Sequence, residues 1–349
     1  MKRKYAAILI IVVVVGTGSF LWNHFINADP VSAELKQMVT DSASSTFSVK
    51  KWEESEKYSK KAMKFKEKDE LMSSGNEFAV TGVKLKAPYG IACLSEGILL
   101  ADHGESCLYL IDYSGNLVRK IGELGNGPNQ FQKPTGCTYH NGYYYVIDSG
   151  NKRIVILDRQ FNYTKELKLP KSEREPEKEF TDIAINDKGD IYISGSYLYD
   201  SGLYRYNLGK EKFENVQKYF YGSLKEFDGE VYAVDQFRIY VDFEKKEITG
   251  GAGPNALWRL DGRNIKKLSN LPAGLNAGSF ELLRDNLIIC SPFHSAVMVF
   301  NMKNGKYMSN IYEVDKMDYK TYASIYGSDL YITEPEKGKI LKISLEKLQ

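Results

Sequence analysis

The sequence predicts an all-β protein, a six-bladed β-propeller that follows an apolar amino-terminal segment and a polar stalk. Three observations predict it. A unit of two short apolar strands round a polar turn occurs six times. Its copies end at residues 102, 148, 195, 235, 291 and 334, about 46 residues apart. Nowhere in that body is there the 3.6-residue periodicity of a helical repeat. One small meander cannot shield both of its faces, so the copies must stack round an axis. Composition agrees, with 25 tyrosines and only 10 prolines in 349 residues; aromatic side chains suit half-buried pleated surfaces.

Residues 1–28 read as a signal-anchor. Met1-Lys-Arg-Lys4 precedes an apolar run from Tyr5 to Phe25, and roughly 20 such residues cross a bilayer core of about 30 Å. Basic residues ahead of the run keep the amino terminus inside and send the rest out. A cleavable signal peptide cut near Ala28 is the competing reading, although the run exceeds the roughly 7–15 apolar residues usual there. Either way the body lies outside the cytoplasm, in the periplasm or at the cell surface, secreted if the segment is cut. The first cysteine is Cys93, which excludes a lipid-modified amino-terminal cysteine. With 47 basic and 45 acidic residues, the whole-chain field gives no support to nucleic-acid binding.

Residues 29–75 are polar and rich in lysine and glutamate, with Ser42-Ala-Ser-Ser45 as a flexible patch. Trp52 to Leu71 is compatible with a helix but carries no continuous apolar stripe. This segment is either a stalk or a docking helix for a partner.

The propeller is expected over residues 76–349. Its clearest unit runs from Gly122 to Asp158, with Asn141-Gly142 as a hairpin turn between two apolar strands; both residues tolerate positive φ. Windows of the same form are Tyr89 to Asp102, Thr135 to Asp148, Gly222 to Asp235 and Gly278 to Ser291. Asp182 to Gly195 and Thr321 to Glu334 are looser copies. Third strands follow at Leu108-Ile111, Ile154-Leu157, Leu203-Tyr206, Leu257-Leu260, Val297-Phe300 and Ile340-Ile343. The chain ends soon after the sixth, so Phe78 to Leu85 is expected to supply the missing outer strand, closing the ring and removing its free edges.

The Gly122–Asp158 unit is similar to the NHL repeat. It has a glycine-rich turn, Gly127-Pro-x-x-Phe131, Pro134-x-Gly136, a strand ending in Asp148, then Gly150-Asn-x-Arg-Ile154. Blade one carries a weaker version in Pro88-Tyr-Gly90 and Leu100-Ala-Asp102. The other four keep the strands and little of the motif. The resemblance implies the NHL/TolB-like six-bladed group, which holds binding scaffolds and a few enzymes; fold alone does not choose among them.

In that architecture the turns after the second strands gather on one face. The residues there are Asp102, Asp148, Gly195, Asp235, Ser291 and Glu334, with His103, Asn151 and His294 close by. Carboxylates with imidazoles offer donors for a divalent cation, though an Asp at a strand end commonly accepts hydrogen bonds from the next turn instead. No cofactor is otherwise indicated. Amidating lyases of this group resemble the scaffold but use three zinc-binding histidines, one more than His103 and His294. Lactonases of the senescence-marker type use a Glu/Asn/Asn/Asp metal site, for which Glu334, Asn151 and Asp235 are present without the flanking motif. Gly-x-Ser-x-Gly, His-Glu-x-x-His and phosphate-loop patterns are missing. The expectation is therefore a ligand- or protein-binding module, with a metal-dependent hydrolase or lyase as the alternative.

Two insertions point to where specificity lies. Gln236 to Ala256 lengthens blade four and overhangs the face of Asp102 and Asp148 unless it folds as an extra hairpin. Ser196 to Ser201, with Tyr197 and Tyr199, lengthens blade three. Loops on a rigid scaffold carry binding, and tyrosine gives contact area with a polar tip. Cys93 and Cys137 fall on inner strands of adjacent blades, either as a disulfide or as buried thiols.

Overall fold

The computed structural model describes residues 48–53, 72–171, 179–196, 201–218, 220–235, 238–242, 247–251, 255–272, 275, 277–292, 294–318 and 320–349. The expected anchor at 5–25, the cleavage site at Ala28, the loop residues Tyr197 and Tyr199 and all but the first two residues of the helix compatible with Trp52 to Leu71 lie outside them; Trp52 and Glu53 are strand. Among the described residues no helix is long and apolar enough to cross a membrane.

Six four-stranded antiparallel sheets form the blades, named from the axis outward. Blade one has Pro88–Leu94, Gly97–Asp102, Cys107–Ile111 and Leu117–Ile121; blade two has Pro134–His140, Tyr143–Asp148, Arg153–Leu157 and Tyr163–Lys168. Blade three has Glu179–Ile185, Ile191–Ser196, Gly202–Asn207 and Lys212–Lys218; blade four has Gly222–Phe227, Glu230–Asp235, Ala256–Asp261 and Asn264–Asn270. Blade five has Ser279–Leu283, Asn286–Ser291, Ala296–Asn301 and Tyr307–Glu313. Blade six runs Ala323–Tyr326, Asp329–Glu334, Lys339–Ser344 and, outermost, Gly75–Glu77. The protein is a six-bladed β-propeller.

The core lies between the blades. Successive side chains of a strand point to opposite faces. In blade five Ile289, Met298 and Phe300 pack toward Val234 and Leu257 of blade four. Their neighbours Ile288, Val297 and Val299 pack toward Leu330 and Ile332 of blade six. Similar clusters join blades one and two through Leu99 and Val146, two and three through Ile154 and Ile193, and three and four through Leu203 and Leu224. Phe78, Ile98 and Tyr331 join blade six to blade one. Each sheet is thus buried on both faces only because it has two neighbours.

Ring closure corrects one expectation. The outer strand of blade six is Gly75–Glu77, pairing Gly75 with Ile343 and Glu77 with Leu341. Phe78 to Leu85 leaves the sheet: Phe78 turns edge-on to Tyr331 at 5.3 Å, and Thr81 bridges to Asn116 of blade one. Phe78, Val80, Val83 and Leu85 pack into the seam between the two blades, and an apolar alternation that fills a seam reads in sequence like a strand.

The blade-four insertion does fold as an extra hairpin, Arg238–Asp242 with Glu247–Gly251. Ser48–Glu53, from the stretch expected as stalk, adds a parallel third strand to it. The four cysteines are free thiols, so Cys93 and Cys137 are not bridged.

Candidate ligand cavity along the propeller axis

The recurring aspartates of the strand ends are framework. Asp102 is fully buried and accepts from the amides of Lys86, Ala87, Gly104 and Glu105 at 2.9–3.0 Å. Asp148, also fully buried, accepts from Gln132 N at 2.6 Å, Asn151 Nδ2 at 2.8 Å and Arg153 Nε at 2.9 Å. Burial pushes the Asp148 carboxyl up, against the pull of those donors. Arg153 also reaches Glu166 at 2.8 Å and the carbonyls of Gly127 and Gln130 at 3.0 and 2.8 Å. That hub is why the best-marked blade pairs a glycine-rich turn with Gly-Asn-x-Arg: one buried guanidinium ties the turn to the strand-end carboxylate. Asn151 donates as well to Gly125 O at 2.7 Å.

Asp235 is fully buried and accepts from Ala256 N at 2.7 Å across the base of the insertion. Glu334 is 3 % exposed and pairs with Lys337. His294 is half-buried, its amide donating to Ser291 Oγ at 3.4 Å. The strand-end positions therefore stand in separate blades, each bound into its own turn, and no group of three or more His, Cys, Asp and Glu side chains spaced to hold a metal occurs among the described residues.

His103 alone of these candidates joins a cluster near the axis. Its ring stacks on Tyr89 at 4.4 Å, Tyr89 in turn lies 5.9 Å from Tyr322, and Lys320 sits over Tyr89 at 5.3 Å while pairing with Glu179 at 3.1 Å. Burial lowers the His103 pKa.

Below that aromatic layer a cavity of about 400 Å³ runs along the axis, lined by inner strands of all six blades. It extends from Gly90, Gly136 and Tyr322 toward Glu96, Tyr139 and Glu226, at the opposite end of the inner strands from Asp102 and Asp148. Inside it Lys225 Nζ meets Glu281 Oε1 at 2.8 Å and donates to Ala323 O at 2.5 Å. Asp182 stands beside them, accepting from Leu224 N and Ile183 N at 2.9 Å each. Burial, which would lower Lys225, is outweighed by Glu281 and Asp182, so the ammonium is held more firmly than usual. Burial pushes Asp182 and Glu281 up while Lys225 pulls them down. Cys93 and Cys137 line the cavity too, their thiols pushed up to about 12 by burial; a protonated thiol is a poor nucleophile.

Lys225, Glu281, Asp182 and Ser324 were not singled out by the sequence reading, yet a signal existed. Ala92, Thr138, Lys225, Glu281 and Ser324 all hold the fourth place of their repeat windows, and all line the cavity. A charge at that place, on an innermost strand, marks the axis.

Residues 82–239 match a protein family described as a 6-bladed beta-propeller. No curated protein sequence matches the chain. Among solved structures it is similar to a virginiamycin B lyase from Staphylococcus aureus, with 16% identity over 78% of this chain and 99% of that one and a TM-score of 0.52. It is similar also to a luciferin-regenerating enzyme, with 11% identity, 78% and 95% coverage and a TM-score of 0.53. A third is a protein named for a conjectured gluconolactonase activity, with 9% identity, 79% and 94% coverage and a TM-score of 0.55. At these identities the likeness is one of fold, and it agrees with the NHL-like architecture read from Gly122–Asp158.

Proposed function

We propose that the protein is an extracytoplasmic binding module, held at the membrane by residues 5–25, whose rigid propeller receives a small polar ligand in its axial cavity. One observation carries the reading. Lys225, Glu281 and Asp182 come from three different blades and meet in a cavity of about 400 Å³. Burying charges costs several kcal/mol per ion unless they are compensated, and nothing in blade packing requires them there, since the apolar clusters between blades are complete without them. Cavities of roughly 300–1,000 Å³ with a few convergent polar groups are the usual form of small-molecule sites.

A hydrolase or lyase reading would rest on likeness of fold alone. The strand-end carboxylates it would use are committed to backbone amides and to Arg153.

The test is a thermal-shift and native-mass-spectrometry screen of the full chain in detergent against amines, sugars, carboxylates and phosphates. At least one compound is expected to raise the melting temperature of the wild type and to lose that effect in Ala92→Trp, which fills the cavity from blade one. A screen in which every stabilising compound acts equally on both proteins would overturn the reading.

A further inference from the structure

We infer that the axial cavity selects a small organic cation, an amine bearing hydroxyl groups, over neutral or anionic molecules of the same size. The inference deepens the binding-module reading and rests on it. The lining carries four carboxyls (Glu96, Asp182, Glu226 and Glu281) against one ammonium (Lys225), with neither arginine nor histidine. That single cation is already paired within the protein. Two of its contacts are Glu281 at 2.8 Å and the Ala323 carbonyl at 2.5 Å.

The acids are unequally provided for. Glu281 has the ammonium. Asp182 is held by two backbone amides, which orient a carboxylate but carry no full charge, and it shares the field of Lys225 with Glu281. In the buried part of the site two carboxyls thus share one ammonium, and attraction between charges rises as the local dielectric falls. A ligand ammonium beside Asp182 completes two ion pairs where one now stands.

The cavity's other end adds to the same field. Glu96 is held ready by Tyr144 Oη at 2.6 Å and Ser95 Oγ at 2.8 Å, and Glu226 by Gly229 N at 2.8 Å. Acid-lined clefts draw cations in and raise their local concentration. Two aromatic rings of the lining, Tyr139 and Tyr322, offer π faces to a cation. The hydroxyls of Thr138 and Ser324 lie in the same lining, and both donate to and accept from a ligand hydroxyl.

A matched trio of probes isolates charge from size and shape: glucosamine, glucose and glucuronate, titrated calorimetrically into the full chain in detergent at neutral pH and low salt. Glucosamine is expected to bind at least tenfold more tightly than glucose, with glucuronate weakest. Adding salt should weaken glucosamine alone. Asp182→Asn and Glu281→Gln, isosteric changes checked for retained folding by circular dichroism, should each reduce the preference for glucosamine. Equal binding of all three, or tighter binding of glucuronate, overturns the cation inference while leaving the binding reading standing. Binding of none overturns the inference, and with a negative outcome of the wider screen it removes the cavity reading as well.

Discussion

Gly136 of Pro134-Thr-Gly136 lies where the innermost strands of blades two and three touch. Its φ is outside the left-handed region, so the backbone conformation does not demand glycine. Space does. A Cβ at Gly136 would stand 2.7 Å from Thr181 O and 3.1 Å from Asp182 Cα, both on the neighbouring inner strand, and 3.3 Å from Ile147 Cδ1. Two of those atoms are backbone, with no rotamer to give way, so the strands must part by several tenths of an ångström. Overpacking costs about 1–3 kcal/mol, and the rigid neighbours place Gly136→Ala near the upper end, about 2–3 kcal/mol. In a domain this large each kcal/mol moves the midpoint by roughly 2 °C, so a drop of about 5 °C is expected by scanning calorimetry or circular dichroism. Gly209→Ala is the control, its nearest neighbour being Asn207 Oδ1 at 3.5 Å; it should stay within about 0.5 kcal/mol of the wild type. Equal shifts in the two variants would refute the view that this glycine sets blade spacing. The same view extends to Gly90 of Pro88-Tyr-Gly90, where a Cβ would run into Thr135 O.

Asp148→Ala takes from the buried Arg153 one of its two carboxylates and from Gln132 N its acceptor, and is expected to cost about 2–3 kcal/mol, measured by urea unfolding; a cost below 1 kcal/mol would mean that the hub is not holding the blade. Native protein should leave Cys93, Cys137 and Cys290, all pushed up to about 12, unreactive to a thiol reagent at pH 8, and all four thiols should titrate after unfolding. A disulfide-linked mass or fast labelling of the native protein would contradict this. Because burial lowers the folded His103 pKa, its neutral form contributes stability that is present above the unfolded value near 6.5 and is lost as pH falls through the folded value. The raised carboxyls run the other way, so the readout is wild type minus His103→Gln. That difference should shrink in acid. Deleting residues 72–77 removes the outer strand of blade six and exposes the edge of Lys339–Ser344, so the truncated chain should unfold at lower temperature and associate; an unchanged midpoint would deny those residues their closing role.

How far the sequence could be read depended on the range of the interaction. Turns and strand ends are local: Asn141-Gly142 and the Asp148-to-Arg153 stretch are visible in consecutive residues, and both lie where the pattern put them. The outer strand of blade six was misplaced by a few residues. Phe78 with Val80, and Val83 with Leu85, each alternate like a strand, but they fill the seam between blades six and one, which only contacts with Tyr331 and Asn116 reveal. The acidic strand ends drew attention because they repeat. Lys225 and Glu281 did not, because each is a single oddity in its own blade.

Repeat spacing and apolar alternation were enough to specify the blades, their number and their radial packing, because a meander buried on both sides needs a neighbour on each. Which polar groups meet on the axis could not be had from spacing. Lys225 and Glu281 are far apart along the chain, and Ala323 farther still from Lys225. The Lys225–Glu281 contact joins the inner strands of neighbouring blades four and five, and the Lys225–Ala323 contact reaches on to blade six, so both exist only once those strands enclose a common space. A charge cluster drawn from several blades is a property of their packing round one axis, and that packing is tertiary.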